Sequence, residues 1–276
     1  MLDILNGFFK KIYTKPTLIP KLLHFIWLGD KEIPEYFNIY LSKWKQLYPE
    51  YKITIWDDSS IEDADIFPNN TIKNLYNSYS NNVFKADICR YCLLYKFGGI
   101  YFDVDFEPIK RIPDNFLNFD FLAAYQNEKE VNNAFIGSKP NTNILETTIN
   151  DLPINVYKVI NQVGEKNAFE HCIPDLAAPL YFTKKCNLYK NNDNYYFFTK
   201  EYFYPYWYTD KQDNINNDFK SSNPLSYAVH HWDMSWKELD HEEDEFLPVH
   251  MLGKSDELNI EMNQIQEVNF MHKIKE

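Results

Sequence analysis

A chain of 276 residues, 45% hydrophobic and 25% charged, has a globular composition and is long enough for a full α/β core. Its net charge of −12 argues against a nucleic-acid partner, because non-specific binding needs clustered Lys and Arg to neutralise phosphates. Aromatic residues reach 17%, and Tyr and Trp suit the lining of a sugar or nucleobase site as well as a core.

The chain opens with "MLDILNGFFKKIYTK", apolar residues beside Lys10, Lys11 and Lys15. Residues 1–20 are read as a helical segment, with peripheral membrane contact as the alternative. No run approaches the roughly 18 apolar residues of a membrane span, and no signal-peptide pattern leads the chain. The expected location is therefore cytoplasmic, at most peripheral at the inner face of the membrane.

"KLLHFIWLG" (21–29) is a continuous apolar run closed by glycine, a strand buried on both faces, in which His24 is a core histidine. Tyr36, Tyr40, Trp44 and Leu47 then recur at helical spacing between Pro34 and Pro49. "YKITIWDD" is a second strand. Strand, helix and strand in this order predict a right-handed βαβ unit and a parallel sheet. A stretch rich in Asp and Asn follows, read as a loop.

Val83 to Phe97 is the clearest helix, with Phe84, Ile88, Tyr91, Cys92 and Tyr95 on its apolar face and Gly98 as its stop. Asp87 and Arg90, three apart, share another face within reach of each other. Gly98 and Gly99 allow a tight turn into the strand "GIYFDVDF". "DFLAAYQ" and "NNAFIGS" are further strands, "NILETTINDL" is helical, and Pro179 must start or kink a helix in "DLAAPLYFTKK". The four cysteines, Cys89, Cys92, Cys172 and Cys186, form no disulfide framework and are read as buried structural thiols. Domain limits fall at 1–20 for the first segment, 21–240 for the main domain and 241–276 for a tail packing on or extending it.

Residues two apart in a strand point to one side, so Asp103 and Asp105 present two carboxylates together at the strand's carboxyl end. Two close carboxylates resist ionisation unless a cation joins them, and oxygen ligands with open positions suit Mg2+ or Mn2+ bridging to a diphosphate. Alone the signal is weak: Asp-x-Asp arises about once by chance in a chain of this size, and Asp63-Ala64-Asp65 repeats the pattern in a loop-like context.

The surrounding block "ADICRYCLLYKFGGIYFDVDFEPI" resembles the sugar-binding DxD region of glycosyltransferase family 32. It is also similar to the glucosyltransferase domain of the large clostridial cytotoxins. "IPKLLHFIWLGD" is similar to the family's opening strand and "YAVHHWDMSW" to its C-terminal element. The resemblance implies a GT-A-like α/β fold, a nucleotide-binding domain with a mixed, mainly parallel sheet flanked by helices, working with Mn2+ or Mg2+. It implies that Trp27 stacks on the nucleobase, with a core role as the rival. Asp87 and Arg90 would hold the sugar and ribose hydroxyls, Arg90 also meeting phosphate, and Tyr101 would contact the donor. Asp103 would meet ribose and the metal's waters, Asp105 the metal itself, and Asn133 the transferred sugar. His230 or His231 would complete the metal shell; adjacent on a strand they point opposite ways, so one at most faces it. Ser235 and Trp236 would contact and cover the diphosphate.

The expected function is hexosyl transfer from a nucleotide sugar, UDP-hexose favoured, with retention by front-face attack and no assigned general base. A glycan acceptor in bacterial surface-polysaccharide synthesis is the expected partner. A toxin-like effector acting on a protein, or a non-catalytic module binding nucleotide sugar or glycan, are the alternatives.

Overall fold

A computed structural model describes residues 18–207 and 223–233. The expected segment 1–20 lies outside them save for its last three residues, and the tail 241–276 lies outside them entirely, as do Ser235 and Trp236. Among the described residues no helix is long and apolar enough to cross a membrane.

The first unit forms as its pattern predicts. Strand β1 (Leu22–Ile26), helix α1 (Glu35–Leu47) and strand β2 (Lys52–Trp56) make a βαβ unit, with β1 and β2 parallel and Leu22 opposite Lys52. The Asp- and Asn-rich stretch expected to be a loop instead holds α2 (Asp58–Ala64) and α3 (Asn70–Ser78). The residues that suggested a loop are helix caps: Asp57 accepts from the Ser60 N–H, and Asn69 from the Ile72 N–H. Asp63 thus sits in a helix, and Asp65 ends it in the left-handed conformation.

Helix α4 (Asn82–Phe97) is capped by Asn81 and stops at Gly98, after which β3 (Gly99–Phe102) runs parallel to β1. Next come β4 (Phe106–Pro108), β5 (Phe121–Tyr125) and β6 (Val131–Ser138). Helix α5 (Asn143–Val163) runs through Pro153 and past the expected end at Leu152, because its buried stripe continues through Val156 and Val159. Helices α6 (Glu165–His171), α7 (Ile173–Leu176) and α8 (Pro179–Tyr189) follow, and Pro179 starts α8 rather than kinking it. Strands β7 (Tyr195–Phe198) and β8 (Ala228–His230) complete the described chain.

The six-stranded sheet has the order β2-β1-β3-β6-β5-β7. Three pairings are parallel (β1–β2, β1–β3, β5–β7) and two antiparallel (β3–β6, β5–β6), so the sheet is mixed and mainly parallel. Side chains alternate across it: Ile100 and Phe102 join the core on the α1 face, while Tyr101 joins the core built on α4, α5 and α8. All four cysteines are free and buried, as structural thiols should be.

The junction of α4 and β3 depends on two glycines and a histidine. Gly98 has φ +64° and Gly99 φ +103°, and a Cβ at Gly99 would lie 2.8 Å from Leu22 Cβ and 2.9 Å from His24 Nε2. His24 is 2% exposed. The Trp56 indole N–H donates to its Nδ1 at 3.0 Å, so Nε2 carries the proton and donates to the Gly98 carbonyl at 2.9 Å. Burial, with help from Lys52, pushes the imidazole down to about 4.

Two outcomes follow from this junction. Gly99→Ala forces a strained φ into a crowded position, and should lower unfolding free energy by roughly 2 kcal/mol or more in a urea titration. His24 stays neutral in the fold while the unfolded chain takes a proton near 6.5, so stability is lost as pH falls from about 6.5 towards 4. His24→Gln, which keeps one donor and one acceptor, should lose less stability over that interval than the parent, by on the order of 3 kcal/mol in paired urea titrations.

Candidate active site

The candidate site gathers where α4, the end of β3, β6 and β8 meet. On α4, three apart, Asp87 and Arg90 form an ion pair of 3.2 Å. Arg90 is buried, and its fork reaches across the sheet: Nη1 lies 3.1 Å from Asp103 Oδ1 and donates to the Asn133 carbonyl at 3.0 Å. Its Nε approaches the Ala86 carbonyl at 3.4 Å, and the guanidinium lies 4.7 Å from the Tyr101 ring centre. Four of its five N–H groups therefore face protein acceptors. Arg90 sets two carboxylates in place and has little donor capacity left for a phosphate.

Strand β3 ends at Phe102, so the alternation expected to place Asp103 and Asp105 side by side does not operate. The pair occupies a turn instead, in which the Phe106 N–H donates to the Asp103 carbonyl at 3.2 Å. The Asp103 N–H bonds to Ala134, and its Oδ1 accepts from the Tyr101 hydroxyl at 2.5 Å. Asp105 is more deeply held, with side-chain exposure of 8% against 29% for Asp103. After the turn β4 pairs antiparallel with β8, placing His230 opposite Phe106.

That pairing decides between the two histidines. His230 Nε2 lies 3.1 Å from Asp105 Oδ1 and 4.0 Å from Asp103 Oδ2. The ligand atoms of Asp103, Asp105 and His230 all lie within 4.8 Å of one another. His231 turns away: its Nε2 meets Glu107 Oε2 at 3.0 Å and its Nδ1 meets the Tyr206 hydroxyl at 2.8 Å, with its ring stacked on Tyr40. Lys43 holds the other oxygen of Glu107 at 2.6 Å. His231 is accordingly removed from the expected metal shell, because both its ring nitrogens are engaged by Glu107 and Tyr206.

Strand β6 carries an irregularity at the same place. Its register with β5 shifts between Ala123 and Ala124, which face Ile136 and Asn132. Val131 and Ile136 therefore belong to one core and the neighbours Ala134 and Phe135 both to the other. The bulge lets Asn133 turn its side chain to Asp87 (2.8 Å) while its carbonyl meets Arg90. After β8, Trp232 adopts φ +54°, unusual for a bulky residue. The Asp233 N–H then donates to Asp105 Oδ2 at 2.8 Å, and the Trp232 indole N–H donates to the Tyr206 carbonyl at 2.9 Å.

Burial pushes the Asp87 carboxyl up to about 6, with Asp103 adding to the effect against Arg90. Burial and the charge of Asp105 push Asp103 up, again against Arg90. Burial acts the same way on Asp105, but His230 and the Asp233 N–H outweigh it and hold that carboxyl below the usual range. Arg90 reaches two of the three carboxyls, Asp87 and Asp103, while Asp105 meets His230, so acids outnumber the one guanidinium and the cluster suits a divalent cation. Two carboxylates and an imidazole with open positions fit Mn2+ or Mg2+.

Trp27 is half-buried just past β1, its indole N–H donating to the Lys31 carbonyl at 2.6 Å. No described contact joins it to the acidic cluster. Trp232 and Asp233 lie in the "YAVHHWDMSW" block and Tyr91 in the DxD block, but the resemblance assigns none of the three a role, and Tyr206 lies outside both; the folded chain brings all four here.

Residues 34–123 match the family described as "Glycosyltransferase sugar-binding region containing DXD motif". Inositol phosphoceramide mannosyltransferase 3 of Schizosaccharomyces pombe is 29% identical over 52% of this chain and 40% of its own length. Mannosyl phosphorylinositol ceramide synthase SUR1 of Saccharomyces cerevisiae is 30% identical over 46% of this chain and 32% of its own. The chain spans less than half the length of these two curated relatives. Among solved structures, the PaToxG glycosyltransferase is 20% identical with a TM-score of 0.47, over 63% of this chain and 69% of that one. The matched segment, Pro34 to Ala123, contains Asp103 and Asp105 as its DXD pair, so the likeness to the DXD glycosyltransferases falls on the acids of this site.

Proposed function

We propose that this chain is a metal-assisted hexosyltransferase that takes a nucleoside-diphosphate sugar as donor. The observation that carries the reading is the convergence of Asp103, Asp105 and His230 beside a buried Asp87–Arg90 pair. Asp103, Asp105 and His230 would hold the cation, and a bound divalent cation supplies charge stabilisation for the departing diphosphate. Asp87 offers a buried carboxylate oxygen, Oδ2, that has no donor among the described residues and suits a sugar hydroxyl. Arg90 holds Asp87 and Asp103 in place and opposes the rise that burial imposes on both carboxyls.

In the reaction the bond from the anomeric carbon to the phosphate oxygen breaks and its electron pair leaves with the diphosphate. An acceptor hydroxyl oxygen bonds to that carbon, and its proton passes to the departing diphosphate or to water. No general base is assigned.

The relatives' names shift the sugar towards mannose, alongside the UDP-hexose expected from the sequence. They give no support to bacterial surface-polysaccharide synthesis, since both relatives are fungal. The acceptor is accordingly read as a hydroxyl of a glycan or glycolipid. A protein acceptor is the other outcome of the same assay.

The deciding experiment incubates the protein with Mn2+ and a panel of UDP- and GDP-sugars, with released nucleoside diphosphate and free or transferred sugar as the readout. Consumption of one donor is expected; binding of a donor with no turnover would support a non-catalytic module instead. Asp105→Asn should lower turnover by about 100-fold or more while retaining the fold, checked by circular dichroism. In titrations with Mn2+ alone, His230→Ala should weaken binding at least about tenfold, and His231→Ala should leave it within about twofold. Equal losses in the two variants would contradict the assignment of His230.

A further inference from the structure

Tyr91 is fully buried on α4, directly after Arg90, and none of the roles above uses it. Its ring stacks on Phe182 of α8 with centroids 5.5 Å apart. Its hydroxyl donates to the Ala177 carbonyl at 2.6 Å. That carbonyl is well anchored, because the Asn155 amide donates to the two carbonyls before it, Asp175 and Leu176, at 2.7 and 2.8 Å.

A phenol that has given its one proton can only accept. The Tyr91 oxygen accepts from Asn133 Nδ2 at 3.0 Å, and the same nitrogen donates to Asp87 Oδ1 at 2.8 Å. These two bonds fix the amide orientation, since a flipped Asn133 would set its oxygen against a carboxylate oxygen. Oδ1 of Asp87 is then held by Asn133 and by Arg90 Nη2 at 3.2 Å. Oδ2 of the same carboxylate is buried and has no donor among the described residues. Leaving a buried acceptor unmatched is unfavourable, and a ligand hydroxyl would satisfy it.

We propose that Tyr91 is a positioning residue for the transferred sugar: by fixing the Asn133 amide, it holds Asp87 so that Oδ2 faces a sugar hydroxyl. The inference rests on the hexosyltransferase reading above. It also changes the expectation for Asn133, whose two amide protons are engaged within the protein.

Tyr91→Phe keeps the ring on Phe182 and removes the hydroxyl. The test measures, by titration calorimetry with Mn2+ present, Kd for the nucleotide sugar consumed in the panel and for its free nucleoside diphosphate. Binding of the nucleotide sugar should weaken about tenfold, while the free diphosphate, which has no sugar to offer Asp87, stays within about twofold. In an Asp87→Asn background the Tyr91→Phe change should have no further effect on nucleotide-sugar binding. Unchanged nucleotide-sugar binding would overturn the proposal. So would an equal loss for both ligands, or an undiminished loss in the Asp87→Asn background. Should Tyr91→Phe fail to fold, Asn133→Ala breaks the same link and faces the same criteria. A parent protein that consumes no donor removes the hexosyltransferase reading; an active parent with an indifferent Tyr91→Phe removes this inference alone.

Discussion

The site depends on one buried cation. Arg90 lies between Asp87 on its own helix and Asp103 beyond the next strand, and also engages the Asn133 carbonyl of a third element. Burial pushes both carboxyls towards the neutral form, and Arg90 opposes that push while fixing their positions. The ring of Tyr101 packs against the guanidinium, and its hydroxyl adds a donor to Asp103. The helix, the DXD turn and the bulged strand are thereby joined through a single side chain.

Around that cation the backbone departs from regularity three times. Asp103 to Phe106 form a turn between two strands, β6 bulges at Asn133, and Trp232 takes a left-handed φ. Each departure directs a group to the cluster: both carboxylates of the turn, the Asn133 side chain and carbonyl, and the Asp233 N–H that caps Asp105. A regular strand through Asp105 would have kept its carboxylate on one face of the sheet, away from the β4–β8 pairing that supplies His230. Strained or bulged backbone is tolerated where surrounding contacts over-determine it, and here four hydrogen-bonded elements do so.

The two histidines show how a pairing register sorts chemistry. Adjacent at the end of β8, His230 its last residue and His231 just beyond it, they meet different environments: His230 faces two carboxylates, while His231 is held by Glu107, Tyr206 and the ring of Tyr40. The second set reaches α1 through Lys43. It fixes the back of the strand whose front presents His230, so the imidazole beside the acids sits on a supported element rather than on a free end.

Local periodicity and chain chemistry dictate a large part of this molecule. The βαβ opening, the long helix with Asp87 and Arg90 on one face, the glycine turn and the DXD block are all set by residues within a few positions of each other. The local pattern misleads in the Asp57 and Asn69 stretch, because a capping Asp or Asn looks like a loop residue until the helix it caps is known. Long-range packing settles which histidine lies beside the acids, that the acid pair lies in a turn, and that Asn133 bridges Tyr91 and Asp87. Those outcomes depend on contacts between residues some 40 to 130 positions apart, set by strand register and by a bulge. A one-residue change in either would redirect the side chains while leaving the local pattern intact.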